Sequence, residues 1–549
     1  MGFVSILYRM IVRFARMAVL GVVVAALAAC SPVQHSTATY KHVDDFGTPV
    51  GTRQVRQGGD LIMGLSSEPD QLDPTTSTSL YTRYVMSSIC EKLYDIDSSG
   101  KLVPQLATAL PAISPDGLTV TVPVRTGVRF ADGTSFDAAA VQTSLQRHYS
   151  MKTSQRKSEM GPIESITTAD PTHVVLRFKT PFAPITAALA DRAGMIMSPT
   201  ALQQEGDSFG DHPVCVGPFK FVKRIPQTSI VVARDPMYYD AQHVHLDTIS
   251  YRIMSDANIR AANLRSGDVQ VADTISPQDV DALVKDPKLH LLQSESLGFQ
   301  GLTINIGNVD GVGKPTKQID TPLAKDPRVR LAFSLSIDRQ ALANTVFNNW
   351  YEPACTPIAP QTPFATPATT ACPPFDPQRA RQLLADAGVP TPYPVVLQVA
   401  TTQDYLRYAQ ALQASVAQGG FDLKIVPVEY STLLDMQKRG NFEALLLGWS
   451  GRLDPDANIA RFLISGSGGN YGGYSSPALD DLLTRAARTT DTAQRDDLYG
   501  QAVKIIQQDN PYIYTYRPRL LTVQSTKVTG IEVYPDGVVR LGKAAFAAD

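Results

Sequence analysis

Between Gly448 and Asp456 the chain reads GWSGRLDPD, which gathers an indole (Trp449), a guanidinium (Arg452) and two carboxylates (Asp454, Asp456) around Pro455. Those groups can hold a small molecule: flat apolar area for it to lie on, and fixed charges to orient it. Arg452 suits a ligand carboxylate or phosphate through its planar fork. The same stretch also reads as a charged turn, with Trp449 in the core, Arg452 paired to Asp454 or Asp456, and Asp454 capping a helix over 457–464. A Gly-rich run, SGSGGNYGGY, follows. It lacks the GxxxxGK[ST] spacing and the preceding strand of a phosphate cradle. It reads instead as a mobile lip of a cleft, with Tyr471 and Tyr474 as candidate contacts.

These residues need elements to position them. NFEALLLG, just ahead of Trp449, is a short apolar run that predicts a buried strand. Nearer the N-terminus DLIMGLSS is strand-like, and after Pro74 the residues Leu80, Tyr84, Val85, Ile89 and Leu93 recur at close to helical spacing. Ligands of α/β proteins tend to sit where a helix starts at a strand's end, which makes Thr76, Thr78, Ser79 and Tyr81 candidate lining residues. Asp116-Gly117 and Asp132-Gly133 predict tight turns beside an alternating strand, and Asp137 is a plausible helix N-cap. THVVLRFKTP, the pair CVGPFKFVKRI and TSIVVARDPMYYD, and LDTISYRIM read as strands, the middle pair as a hairpin. In the second half, strands PYPVVLQVA and FDLKIVPVEY alternate with helices QDYLRYAQALQASVAQGG and STLLDMQKRG, which predicts a mainly parallel sheet. The class is mixed α/β, without repeats.

At 549 residues with 43% hydrophobic content, the chain is too long for one core and predicts two or three lobes. A formal net charge of -2, with no basic stripe, argues against a nucleic-acid partner. Arg9, Arg13 and Arg16 precede an apolar run over 17–29 that ends in LAAC. That run is shorter than the roughly 20 residues a membrane span needs, so 1–29 reads as a signal peptide. Cys30, directly after small residues, resembles a bacterial lipobox, which implies cleavage before it and lipid on its sulfur, with palmitate among the expected acyl groups of the lipoprotein. Residues 30–57 are polar and read as a flexible tether. The expected location is therefore outside the cytoplasmic membrane, periplasmic or cell-surface, anchored by lipid.

Export changes the reading of the other cysteines, because an oxidising compartment favours disulfides. Cys355 and Cys372 bracket a proline-crowded segment (Pro357, Pro360, Pro363, Pro367) expected to form neither helix nor central strand. A bridge there would contribute on the order of 3 kcal/mol. Cys90 and Cys215 are the leftover pair.

VGPFKF, the ARDPMYYD turn, LDTISYRIMSDANIRAANLRSGDVQVAD, DPRVRLAFSLSIDRQAL, and GWSGRLDPD followed by NYGGYSSPALDDLL resemble the extracellular solute-binding proteins of family 5, the dipeptide, oligopeptide and nickel binders of ABC importers. So does LVPQLATALPAISPDGLTVTVPVRTGVRFADGTSFDAAAV. The resemblance implies a two-lobed periplasmic-binding-protein type II fold with a hinge. Lobe I would comprise 58–300 plus 514–549, with a subdomain over about 98–216, and lobe II 301–513. It implies capture of short peptides between the lobes, delivery to a membrane permease, a monomer, and no cofactor. Gly217 of VGPFKF joins the expected site. An acidic residue shortly after Gly-Trp pairs with the peptide amine in members of this family; here that position is Arg452, and carboxylates come later, at Asp454 and Asp456. The alternative cargo is therefore non-peptide: an anionic conjugate, a glutathione-like or opine-like compound, or a nickel chelate.

Two other classes are weaker. His243 and His245 could share a strand face and chelate, but no third ligand lies nearby in sequence, so no metal site is assigned. No GxSxG, HExxH or thiol-nucleophile pattern is present, and no catalytic residue is assigned.

Overall fold

A computed structural model describes residues 43–51 and 53–548; the signal segment and Cys30 lie outside the described residues. Three sheets carry the architecture. The first has seven strands in the order Leu289–Ser294, Leu520–Ser525, Val271–Ala272, Asp60–Leu65, Thr248–Ile253, Ser229–Arg234 and Phe219–Ile225. The second has six: Glu352–Pro353, Tyr512–Arg517, Phe299–Ile304, Ala444–Trp449, Tyr393–Ala400 and Phe421–Val428. A separate four-stranded sheet is formed by Ala112–Ile113, Thr119–Pro123, His173–Phe178 and Ile163–Asp170. The chain passes from the first sheet to the second between Ser294 and Phe299, and returns between Arg517 and Leu520. Two crossings of a few residues each are the connection about which lobes of this kind hinge.

Local chemistry accounts for most elements. NFEALLLG becomes the strand Ala444–Trp449, and its apolar residues fill the core of the second sheet. Asp137 caps the helix Ala138–Ser150, its Oδ1 accepting from the Ala140 amide at 2.9 Å. Gly117 turns the hairpin between Ala112–Ile113 and Thr119–Pro123 with φ +70°, a conformation open to glycine without penalty. Phe219–Ile225 and Ser229–Arg234 pair as the expected hairpin.

The second sheet is mixed, not mainly parallel. Tyr393–Ala400 runs parallel to both Phe421–Val428 and Ala444–Trp449, the three strands that alternate with helices. Phe299–Ile304 is antiparallel to Ala444–Trp449 and to Tyr512–Arg517, and Glu352–Pro353 is antiparallel as well. Alternation fixes direction only between consecutive strands; the strands entering and leaving through the hinge are distant in sequence, and the crossings set their direction.

Three further expectations change. Residues from Asp44 onward are held, where a tether to residue 57 was expected: the Asp45 amide donates to Gln293 O at 2.8 Å, Asp44 pairs with Arg519, and Val55–Arg56 pairs with Ala545–Ala547. A polar segment needs no core of its own when its backbone and charges are satisfied by an existing sheet edge. The proline-rich segment contains a short helix, Pro367–Thr370, with proline at the first turn, where its missing N–H costs nothing, and a Thr366/Thr369 capping box. His243 ends a 3-10 turn and bonds Asp240, while His245 meets Gln57, so the two do not share a strand face.

Both cysteine pairs are bridged, Cys90–Cys215 with Cα atoms 4.9 Å apart and Cys355–Cys372 with 5.1 Å. The separations of 125 and 17 residues give, in the chain-entropy picture, about 5 and about 3 kcal/mol. Cys90→Ser with Cys215→Ser is expected to cost more in urea melts than Cys355→Ser with Cys372→Ser. Equal losses would show that loop length does not govern these bridges.

Candidate ligand-binding site

Two neighbouring cavities open between the first and second sheets. The larger, about 130 Å³, is walled by Tyr81, Tyr84 and Arg260 from the first lobe and by Gln300, Tyr351, Asp404, Tyr405 and Tyr516 from the second. The smaller, about 60 Å³, is walled by Thr78 and Leu80 on one side and Tyr430, Trp449, Arg461 and Tyr471 on the other. Tyr81 stands between them: its ring meets Tyr84 edge-on at 5.9 Å and Tyr430 of the opposite lobe at 5.3 Å. The Tyr81 hydroxyl lies 3.1 Å from Ser66 Oγ, which donates to Asp273 at 2.7 Å. Asp404 accepts from Ser276 Oγ at 2.8 Å and from Arg407 at 3.0 Å. The walls are therefore aromatic rings with hydroxyls at their edges, a surface that buries apolar area while still offering hydrogen bonds.

Of the residues singled out in the sequence, Thr78, Tyr81, Trp449 and Tyr471 reach these cavities. Thr78 is fixed by its hydroxyl, which donates to Asp70 Oδ2 at 2.9 Å. Trp449 is both core and wall: its Nε1 donates to Asn458 Oδ1 at 3.0 Å, Phe462 packs edge-on at 5.1 Å, and the Arg452 guanidinium lies 4.2 Å above the ring.

The others lie elsewhere. Ser79 is buried and caps the helix Leu80–Ile89, accepting from the Tyr81 amide. Gly217 lies against that helix's end, where a Cβ would come within 2.1 Å of Ile89 O. Arg452 pairs with Asp191 of the first lobe, Nη2 to Oδ2 2.5 Å, instead of with its neighbours. Asp454 forms a two-pronged pair with Arg495 at 2.6 and 2.9 Å and accepts the Asp456 amide at 3.0 Å, but it does not cap the helix Asp456–Leu463, whose N-cap position is taken by Pro455. Asp456 faces a separate groove of about 370 Å³ with Phe182, Ala460, Ile464 and Leu483. Tyr474 donates its hydroxyl to Asp509 at 2.6 Å, outside the cleft. Sequence could not place these groups because their partners, at 191, 495 and 509, are distant along the chain.

Sequence reasoning also missed a charge network behind the smaller cavity. Asp191 accepts from Arg83 at 2.8 Å; Arg83 pairs with Asp536 at 3.0 Å; Arg540 bridges Asp536 and Asp95 at 3.0 and 2.9 Å; Lys92 ends the row on Asp95 at 2.6 Å. Glu159 joins Arg156 of its own lobe at 2.8 Å to Arg461 of the other at 2.6 Å. Burial alone would raise the Asp191 carboxyl, but Arg452, Arg83, Arg192 and Arg156 outweigh it and hold it well below the usual carboxylate range. Asp191–Arg452 and Glu159–Arg461 thus tie the lobes across the cleft.

Residues 101–471 match the bacterial extracellular solute-binding proteins, family 5 Middle. The chain belongs to this family. The glutathione-binding protein GsiB of Pectobacterium atrosepticum is 30% identical over 492 residues, 87% of this chain and 92% of that one. DppA of Helicobacter pylori, solved with the peptide STSA, superposes with a TM-score of 0.80 at 26% identity, covering 90% of this chain and 99% of that one. AgaA of A. tumefaciens R10, solved with agropinic acid, gives 0.80 at 26%, covering 89% and 99%.

Within this solute-binding protein, Asp456 supplies a pH-dependent term. Burial, and secondarily the Asp454 charge, raise its carboxyl to about 7 against the opposing pull of Arg495. An unfolded aspartate titrates near 3.9, so the folded state binds the proton more tightly. The resulting stabilisation is complete below pH ~4 and is lost as pH rises through about 7. Asp456→Asn should therefore gain on wild type by about 2 to 4 kcal/mol between pH 4 and pH 8 in urea melts. A constant difference between the two proteins across that range would reject the assignment.

Proposed function

We propose that this protein captures short peptides or peptide-like solutes between its two lobes and delivers them to the permease of an ABC importer. The observation that carries this reading is that both cavities take their walls from opposite lobes. A ligand in them is held by both sheets at once, and hinge closure buries it. Hydroxyl-edged tyrosines suit a ligand whose backbone is recognised and whose side chains vary, since rings and bridging water adapt to shape. The relatives' names point the same way: GsiB is a glutathione-binding protein and DppA holds a peptide. The reading is of capture without chemistry, by a monomer that uses no cofactor, exported and held by lipid on Cys30 at the outer face of the cytoplasmic membrane.

One observation favours a second cargo. Arg452 stands where the family resemblance places an amine-binding acid, and AgaA, solved with agropinic acid, is as similar in fold as DppA. Mass spectrometry of small molecules released on denaturing the natively purified protein separates the two. A ladder of short peptides is the expected result. A single non-peptide solute would replace the peptide reading, and no retained or added solute that compacts the protein in solution scattering would end the capture reading.

A further inference from the structure

The charges that join the lobes do not balance. Around Asp191 and Glu159 stand Arg83, Arg156, Arg192, Arg452 and Arg461, all buried. Arg83 also uses Asp536, but Asp536 already holds Arg540, and Arg540 shares Asp95 with Lys92. Against these seven cations the network sets four carboxylates: Asp95, Glu159, Asp191 and Asp536. Asp70 adds one more negative charge behind Thr78, where it is taken up by Thr78 and Thr82. Glu91, beyond Asp95, is raised by burial to about 7 and carries only part of a charge. Nε of Arg156, Arg192 and Arg461 is buried without a hydrogen-bond acceptor among the described residues.

Buried cations without counter-charge cost several kcal/mol apiece, so closing the lobes on this network is unfavourable until an anion joins it. Arg461 is the member that lines the small inter-lobe cavity, beside Thr78, Trp449 and Tyr471; Lys92, Asp95 and Arg540 border a separate pocket of about 610 Å³. The small cavity, about 60 Å³, is large enough to hold a few waters or one functional group of a ligand.

We propose that the small cavity receives an anionic group of the ligand, a carboxylate, whose charge completes the inter-lobe network. Acidic peptides and peptide-like acids then close the lobes, and their neutral derivatives do not. This rests on the capture reading above and specifies the charge of what is captured.

Calorimetry with trialanine, trialanine amide and N-acetyl-trialanine tests it on the unmodified protein. The amide should bind at least about tenfold more weakly than the acid, the size of one lost charge-assisted bond, and the acetylated peptide less than about threefold. An amide within threefold of the acid overturns the proposal. If no trialanine derivative binds, the peptide reading fails by itself, and succinate against putrescine at equal ionic strength decides the charge question. Succinate should raise the melting temperature by several degrees; equal shifts, or none, overturn the proposal. Two variants separate an anion site from a purely structural one. Arg461→Met should lose about tenfold in acid affinity, whereas Glu159→Gln, which frees Arg461, should gain about threefold or more. Weakening in both overturns the proposal, and if Arg461→Met does not fold, the ligand series on wild type still decides.

Discussion

Two carboxylates of the first lobe, Asp191 and Glu159, hold two guanidiniums of the second, Arg452 and Arg461. Asp191 and Glu159 lie in the segment inserted between the first sheet's strands Asp60–Leu65 and Phe219–Ile225, so that segment is the part of the first lobe that reaches across. The pairs are worth most while the cleft is dry: at 4 Å a unit pair gives about 4 kcal/mol at an effective dielectric of 20 and about 1 in water. Opening weakens the attraction but restores hydration to every charge, and hydration can exceed the attraction lost. A ligand that binds the closed arrangement better than the open one can therefore select it.

The same economy shapes the first lobe's contribution. The Cys90–Cys215 bridge and the close approach of Gly217 to Ile89 O fix the end of the helix Leu80–Ile89, and Ser79 caps its start. Thr78 and Tyr81 thus arrive at the cavities on a clamped element, with Asp70 and Ser66 holding their hydroxyls. Opposite them, Trp449 is pinned by Asn458, Phe462 and Arg452. Walls that need not be ordered when the ligand arrives leave more of its interaction energy for affinity.

What the sequence revealed follows from the range of the forces involved. Strands such as Ala444–Trp449, the hairpin of Phe219–Ile225, and the Asp137 cap depend on neighbours in the chain, and their patterns are readable there. The antiparallel entry of Phe299–Ile304, the pairing of Asp454 with Arg495, and the tyrosines at 351, 405, 430 and 516 depend on partners brought together only by folding. The GWSGRLDPD stretch shows both limits. It lies at the cleft, and Trp449 lines a cavity as its type suggested. Which of its charges are free was decided by Asp191 and Arg495, about which the stretch itself says nothing.

That division bears on how a peptide lies in the cleft. Arg452 in place of an amine-binding acid would repel an ammonium, and Asp191, which neutralises it, is already saturated by Arg83 and Arg452. Asp454 belongs to Arg495, and Asp456 faces a groove outside both cavities. A ligand amine at the Trp449 end therefore meets guanidiniums and finds every nearby carboxylate engaged. At the other end, Asp404 borders the larger cavity among tyrosine rings, and it too is engaged, by Ser276 and Arg407. A carboxylate is therefore better matched than an ammonium to the Trp449 end of the cleft, where Arg461 lines the small cavity.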